Sequence, residues 1–151
     1  MKISNNVYLV GSGEIRLTHP LDCHVYLLED DGELAVIDAG CGVDTEEILS
    51  NITRHGLEPE NVKYLFLTHC HADHACGASG IRSKTSCEVV ASIQESRYIE
   101  SGSEKELGLD VCKKANWYPS DFQYEHCRID RTVDEGQVLK LGKHKIVCVV
   151  V

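Results

Sequence analysis

No apolar run in this sequence approaches the ~20 residues that a membrane-spanning helix needs. The first residues, Met1-Lys2-Ile3-Ser4-Asn5-Asn6, lack the apolar core of a signal peptide. These two absences predict a cytoplasmic protein with no membrane partner. Basic residues are scarce as well: 15 lysines and arginines stand against 24 acids, a formal charge of −9. A nucleic-acid backbone is bound by a basic face, so no such partner is expected. Internal repeats, low-complexity tracts and interdomain linkers are missing. At 151 residues the chain suits one domain, long enough to bury a real core. There is no C-x-x-C pair either. The eight cysteines are scattered at positions 23, 41, 70, 76, 87, 112, 127 and 148. Without a secretory signal they read as reduced packing thiols, small hydrophobes inside apolar runs. Cys70 and Cys76 are the exceptions, as reactive or adventitious ligands, because they flank the stretch on which the chain is organised.

That stretch is Leu65-Phe66-Leu67-Thr68-His69-Cys70-His71-Ala72-Asp73-His74. Three imidazoles and a carboxylate fall within six residues, directly after an apolar run that reads as a buried strand. Metal binding explains the grouping better than packing does. In an extended segment His69 and His71 point to the same side, roughly 6–7 Å apart along the backbone. Their ring nitrogens can converge on one ion at about 2.0–2.1 Å. Asp73 and His74 follow a turn and can reach the other side of the same pocket, where a second ion fits.

Around the motif the pattern is mixed α and β. Asn6–Val10 reads as a strand ended by Gly11-Ser12-Gly13. His24–Glu29 and Leu34–Asp38 flank Asp30-Asp31-Gly32, a hairpin signal. Asp44 and Glu47 form a capping-box pattern for a helix whose Ile48, Leu49 and Ile52 make an apolar stripe, with Gly56 as its stop. Lys63–Leu67 is the strand before the motif. The small residues Ala75–Gly80 predict a short helix packed close beneath it. Glu88–Ala91 reads as a strand, and Ser92 with Glu95 caps a helix towards Glu100. Lys105–Asn116 reads as helical, weakened by Gly108. Trp117, Tyr118, Phe122 and Tyr124 are expected to form a satellite core under a long loop, and His126 to be structural or solvated. Residues 128–130, Gln137–Leu141 and His144–Val151 return to strand, with His144 exposed.

The pattern H-x-H-x-D-H after a strand, preceded by Ile37-Asp38-Ala39-Gly40 at the end of another, resembles the metallo-β-lactamase-fold superfamily. The similarity runs from about residue 5 to residue 91 and, fainter but in register, from 128 to 151. It implies an α/β fold, an αββα sandwich of two sheets with helices outside. Roughly the N-terminal half is present, as a mixed sheet with flanking helices. By that resemblance His69 and His71 hold a first metal, Asp73 and His74 a second, and Asp38 and Thr68 hold the loop. The cofactor implied is zinc, one or two ions, with iron as the alternative. In relatives a third histidine, a bridging aspartate and a further histidine come later. The chain stops at Val151 before any of them, so a truncated domain is expected. A homo-oligomer or a missing C-terminal half would then supply the rest.

The activity implied is hydrolysis of a small-molecule substrate (an ester, thioester or lactone) by a metal-bound hydroxide. Asp73 is the catalytic residue, positioning the water and shuttling a proton. Two other readings stand beside it. One is a non-catalytic metal-binding or interaction protein, supported by the missing ligands. The other is a non-haem iron oxygenase of the persulfide type.

Overall fold

The computed structural model describes residues 1–149. The end of the last expected strand, residues 150–151, lies outside them. The chain opens with four antiparallel strands, β1 (Lys2–Ser4), β2 (Val7–Gly11), β3 (Val25–Asp30) and β4 (Glu33–Ile37). β3 and β4 are joined by Asp31 and Gly32, both at positive φ, +54° and +82°. That is the backbone of a tight hairpin whose twist matches its strands. Helix α1 (Thr45–Arg54) is capped by the Asp44 side chain, which accepts the Glu47 N–H at 3.3 Å, and it buries Ile48, Leu49 and Ile52. β5 (Val62–Leu67) returns parallel to β4. Two short helices follow, α2 (Ala72–Ala75) and α3 (Ala78–Thr85), then β6 (Glu88–Ser92) and α4 (Ile93–Ser101). After α5 (Leu109–Lys114) come β7 (Arg131–Val133) and the hairpin β8 (Val138–Leu141) and β9 (His144–Val147).

Strands β1 to β7 lie in one sheet in sequence order, antiparallel up to β4 and parallel from there on. Alternation along the strands divides the core in two. Leu27, Val36, Leu65 and Val89 face the helices and pack with Ile48, Ile52 and Ile81. Ala35, Tyr64 and Val90 point the other way, where Leu139 and Leu141 of the β8–β9 hairpin cover them.

Two carboxylates fasten that hairpin. Asp30 Oδ2 accepts the N–H groups of Lys143 and His144, the latter at 3.0 Å, and lies 3.0 Å from His144 Nδ1. Glu33 Oε2 accepts the Gly142 N–H at 2.7 Å. Both carboxyl groups are held below their ordinary range. For Asp30 the main cause is the His144 ring, then the Lys143 N–H; for Glu33 it is the Gly142 N–H, then Lys63. A carboxyl depressed by folding stabilises above its unfolded pKa, about 3.9 for Asp and 4.3 for Glu, and that stabilisation is lost as pH falls through the folded value. The hairpin should therefore detach below about pH 4. Amide resonances of residues 138–147 should shift there before those of β3 to β5, and simultaneous loss of all of them would contradict the local clasp.

Three expectations need correction. The strand begins at Arg131 instead of spanning 128–130, because Asp130 is engaged sideways: its Oδ2 accepts the Val89 N–H at 3.1 Å and its Oδ1 pairs with Arg82 at 2.7 Å. The helix over 105–116 contracts to α5, since Gly108 takes φ +70° and starts the helix instead of continuing it. The aromatics do not form a satellite core. Tyr124 is buried in the main core, with Tyr118 and Phe122 packed on it, while Trp117 is 72% exposed.

Candidate metal centre

β4 and β5 are parallel neighbours with Ile37 opposite Phe66, so the residues that follow, Asp38 and Thr68, emerge side by side at the same sheet edge. Asp38 is 4% exposed and adopts φ +64°, a left-handed conformation that aspartate tolerates better than most residues. Its own N–H donates to Phe66 O at 2.8 Å. Its carboxylate accepts three more hydrogen bonds: the Thr68 N–H at 2.8 Å, the Thr68 hydroxyl at 2.9 Å, and His74 Nδ1–H at 2.8 Å.

This network sets two imidazole tautomers. His74 gives its Nδ1 proton to Asp38, which leaves the Nε2 lone pair free. The Thr68 hydroxyl spends its proton on Asp38, so it accepts from His69 Nδ1, 3.0 Å away, and His69 Nε2 is free too. The ring centroids of His69 and His74 are 4.0 Å apart and those of His69 and His71 4.6 Å. Asp73 Oδ2 lies 3.4 Å from His74 Nε2. The structure thus groups His69, His71, Asp73 and His74 at the end of β5, with His71 the most exposed of the four. Burial opposes charge on His74, but the Asp38 hydrogen bond and the nearby Asp38 and Asp73 charges outweigh it and raise its pKa. Burial, then the neighbouring His74 and His71, lowers that of His69.

Sequence reasoning missed three contributors. Glu95 read only as part of a helix cap. Its N–H does donate to Ser92 Oγ at 3.2 Å, but its side chain crosses to accept the Cys70 N–H at 2.7 Å, tying α4 to the His-rich loop. Burial, then Glu95, pushes the Cys70 thiol up to about 12, so it is not a ready nucleophile. Cys23 read as a packing thiol. Its Sγ, a carboxylate oxygen of Asp38 and a ring nitrogen of His74 all lie within 4.8 Å of one another. Its N–H donates to Asp73 O at 3.2 Å. Tyr118, from the least legible part of the sequence, places its hydroxyl 3.5 Å from Asp73 Oδ1. No local pattern links residues so far apart in the chain.

The loop is also pinned from below. Ala39 N–H donates to His74 O at 2.7 Å and Gly77 N–H to Gly40 O at 3.0 Å. A Cβ on Gly77 would lie 2.1 Å from the Ala39 carbonyl oxygen. Gly77→Ala should therefore push the two turns apart and cost about 2 kcal/mol, an overpacking penalty measurable by urea unfolding. A loss under a few tenths would mean that the turns yield freely.

Beside His69 the second face of the sheet forms a cleft of about 450 Å³, bordered by Ile37, Phe66, Val90, Val133 and Ile146. Imidazole and carboxylate donors are the chemistry that zinc and iron select, and the donor atoms that converge within 4.8 Å at this edge are those of Cys23, Asp38 and His74. No helix among the described residues is long and apolar enough to cross a membrane.

Solved structures share this architecture. A metallo-beta-lactamase from Cronobacter sakazakii, a mutant of its HARLDQ motif, superposes with a TM-score of 0.80 at 21% identity, over 99% of this chain and 52% of that one. BJP-1, a subclass B3 metallo-beta-lactamase of Bradyrhizobium japonicum, gives 0.76 at 23% identity over 97% and 49%. The metallo-beta-lactamase GOB-18 from Elizabethkingia meningoseptica gives 0.79 at 20% over 99% and 49%. The chain spans about half the length of the solved structures it matches. Its mixed sheet with helices is a partial metallo-β-lactamase fold. The family model of the superfamily matches residues 19–126. The chain belongs to the metallo-beta-lactamase superfamily.

Proposed function

We propose that this chain carries the metal-binding half of a hydrolase that acts on a small ester, thioester or lactone. The observation that carries the reading is the Asp38 clasp, which holds His74 by its Nδ1 directly and His69 by its Nδ1 through Thr68. Anchoring the far nitrogen of an imidazole in this way is what a metal ligand needs. His69, His71, Asp73 and His74 would hold one or two zinc ions. Zinc bound there would lower the pKa of a water to about 7 and polarise a carbonyl oxygen. Asp73 orients the attacking water and takes its proton, with the Tyr118 hydroxyl fixing the carboxylate from the other side. The cleft beside His69 seats an apolar acyl group. The acidic chain favours a small substrate over RNA.

The test is zinc-loaded chain offered a panel of thioesters, lactones and aryl esters. Turnover abolished by a chelator and restored by zinc is the expected result. Bound zinc with no turnover of any substrate would instead support a metal-binding protein without chemistry. Retention of iron, with oxygen consumed alongside a persulfide, would replace hydrolysis with the redox reading.

A further inference from the structure

Behind the Asp38 turn, two loops bring together donors that the His-rich centre does not use. A ring nitrogen of His19, a carboxylate oxygen of Asp22 and Cys41 Sγ all lie within 4.8 Å of one another. Cys41 Sγ is 3.4 Å from His19 Nδ1. In a tetrahedral zinc site, bonds of about 2.3 Å to sulfur and about 2.0–2.1 Å to nitrogen set those two atoms roughly 3.5 Å apart. The Leu21 N–H donates to the same Nδ1 at 3.3 Å, so that nitrogen carries a lone pair and not a proton.

Asp22 supplies the second observation. It is 7% exposed, and its Oδ1 accepts the Cys41 N–H at 2.8 Å. Its Oδ2 is fully enclosed and has no hydrogen-bond partner among the described residues. Buried carboxylate oxygens are nearly always satisfied, and a cation satisfies one as a hydrogen-bond donor would. The surroundings are closely fitted. A Cβ on Gly40, at φ +72°, would lie 2.7 Å from Asp22 Oδ1, and one on Gly13 would lie 2.4 Å from Pro20 O.

We propose that His19, Asp22 and Cys41 bind one thiophilic divalent cation, zinc by donor chemistry, at a site separate from His69, His71, Asp73 and His74. One thiolate, one imidazole and one carboxylate leave a fourth position for water. Binding exchanges the Cys41 thiol proton for the metal, and the proton leaves to solvent, one for each ion bound. The ion ties the 19–22 segment to the turn that carries Asp38. The Cys23 N–H, bonded to Asp73 O at 3.2 Å, carries that tie to the His-rich loop. The site therefore sets how firmly the floor of the other centre is held.

Cobalt titration of the full chain tests this, because only a thiolate ligand gives an intense near-ultraviolet charge-transfer band. The band is expected in the unmodified chain, in His71→Ala and in Cys23→Ser, which removes the thiol beside Asp38 and His74, and should be absent from Cys41→Ser, with one ion fewer per chain. His19→Ala should lower cobalt affinity for the band-forming site at least about tenfold; it trims a half-buried side chain and so guards against a Cys41 variant that does not fold. Asp22→Asn should do the same at unchanged volume. No band in the unmodified chain at saturating cobalt would overturn the proposal. So would a band that survives in folded Cys41→Ser or keeps its affinity in folded His19→Ala. Loss of the hydrolase reading would leave these outcomes unchanged, since His19, Asp22 and Cys41 are not among the residues assigned to the His-rich centre.

Discussion

Asp38→Ala is expected to lower stability by about 3–4 kcal/mol, as removal of one partner from a buried charge network does. Three hydrogen bonds to its carboxylate disappear at once. The Thr68 N–H loses its acceptor, a cost of about 1–3 kcal/mol when no water replaces it. Alanine must also hold φ +64°, where its Cβ is strained. Asp38→Asn separates these causes. Asparagine tolerates the left-handed backbone and keeps one acceptor, so it should fall by about half as much while losing the charge beside His74. Urea unfolding reads both, with the midpoint moving and the slope unchanged. The variants should also rank in zinc affinity. A lost anchor on a metal-bound imidazole typically weakens binding about 10–100-fold. If Asp38→Asn matched the parent in both stability and affinity, Asp38 would be a turn acid and nothing more.

His71→Ala should have the largest effect on the metal itself. A direct ligand matters more than the group that orients one, so zinc affinity at the His-rich centre should drop by more than about 100-fold. Stability without metal should barely change, because His71 is exposed in the structure. His144→Ala is the control. That ring is 73% exposed, opens β9 and pairs with Asp30, so its loss should leave zinc binding intact. Competition against a chromophoric chelator reads both variants. Equal losses would contradict the assignment of ligands to the end of β5.

The sequence was most informative where local chemistry repeats a known geometry. Asp44 with Glu47, Asp31-Gly32 and Ser92 with Glu95 each announce a cap or turn, and the structure has each of them. The placing of Asp38 against the His-rich loop came from the resemblance to the superfamily, and the structure puts its carboxylate against Thr68 and His74. What was hidden depends on contacts between distant residues. Glu95 looked committed to its own helix, and nothing beside it names Cys70 as a partner. Asp130 looked like part of a strand, yet Arg82 and the Val89 N–H claim its side chain. The enclosed oxygen of Asp22 has no signature in sequence at all, because satisfaction is a property of packing.

The order of strands in the large sheet bears on how the molecule is made. Each strand from β2 to β7 pairs with the one synthesised just before it. Loop closures stay short through the antiparallel strands β1 to β4 and lengthen at the parallel pairs, most of all between Ser92 of β6 and Arg131 of β7, so pairing should be fastest at the N-terminal end. The Asp38 clasp is different. Its acceptor is in place once β4 has formed, but the Thr68 and His74 donors arrive only when the following helix–strand unit has emerged. The binding site therefore matures after its own scaffold, and capture of an ion reports a sheet already folded through β5.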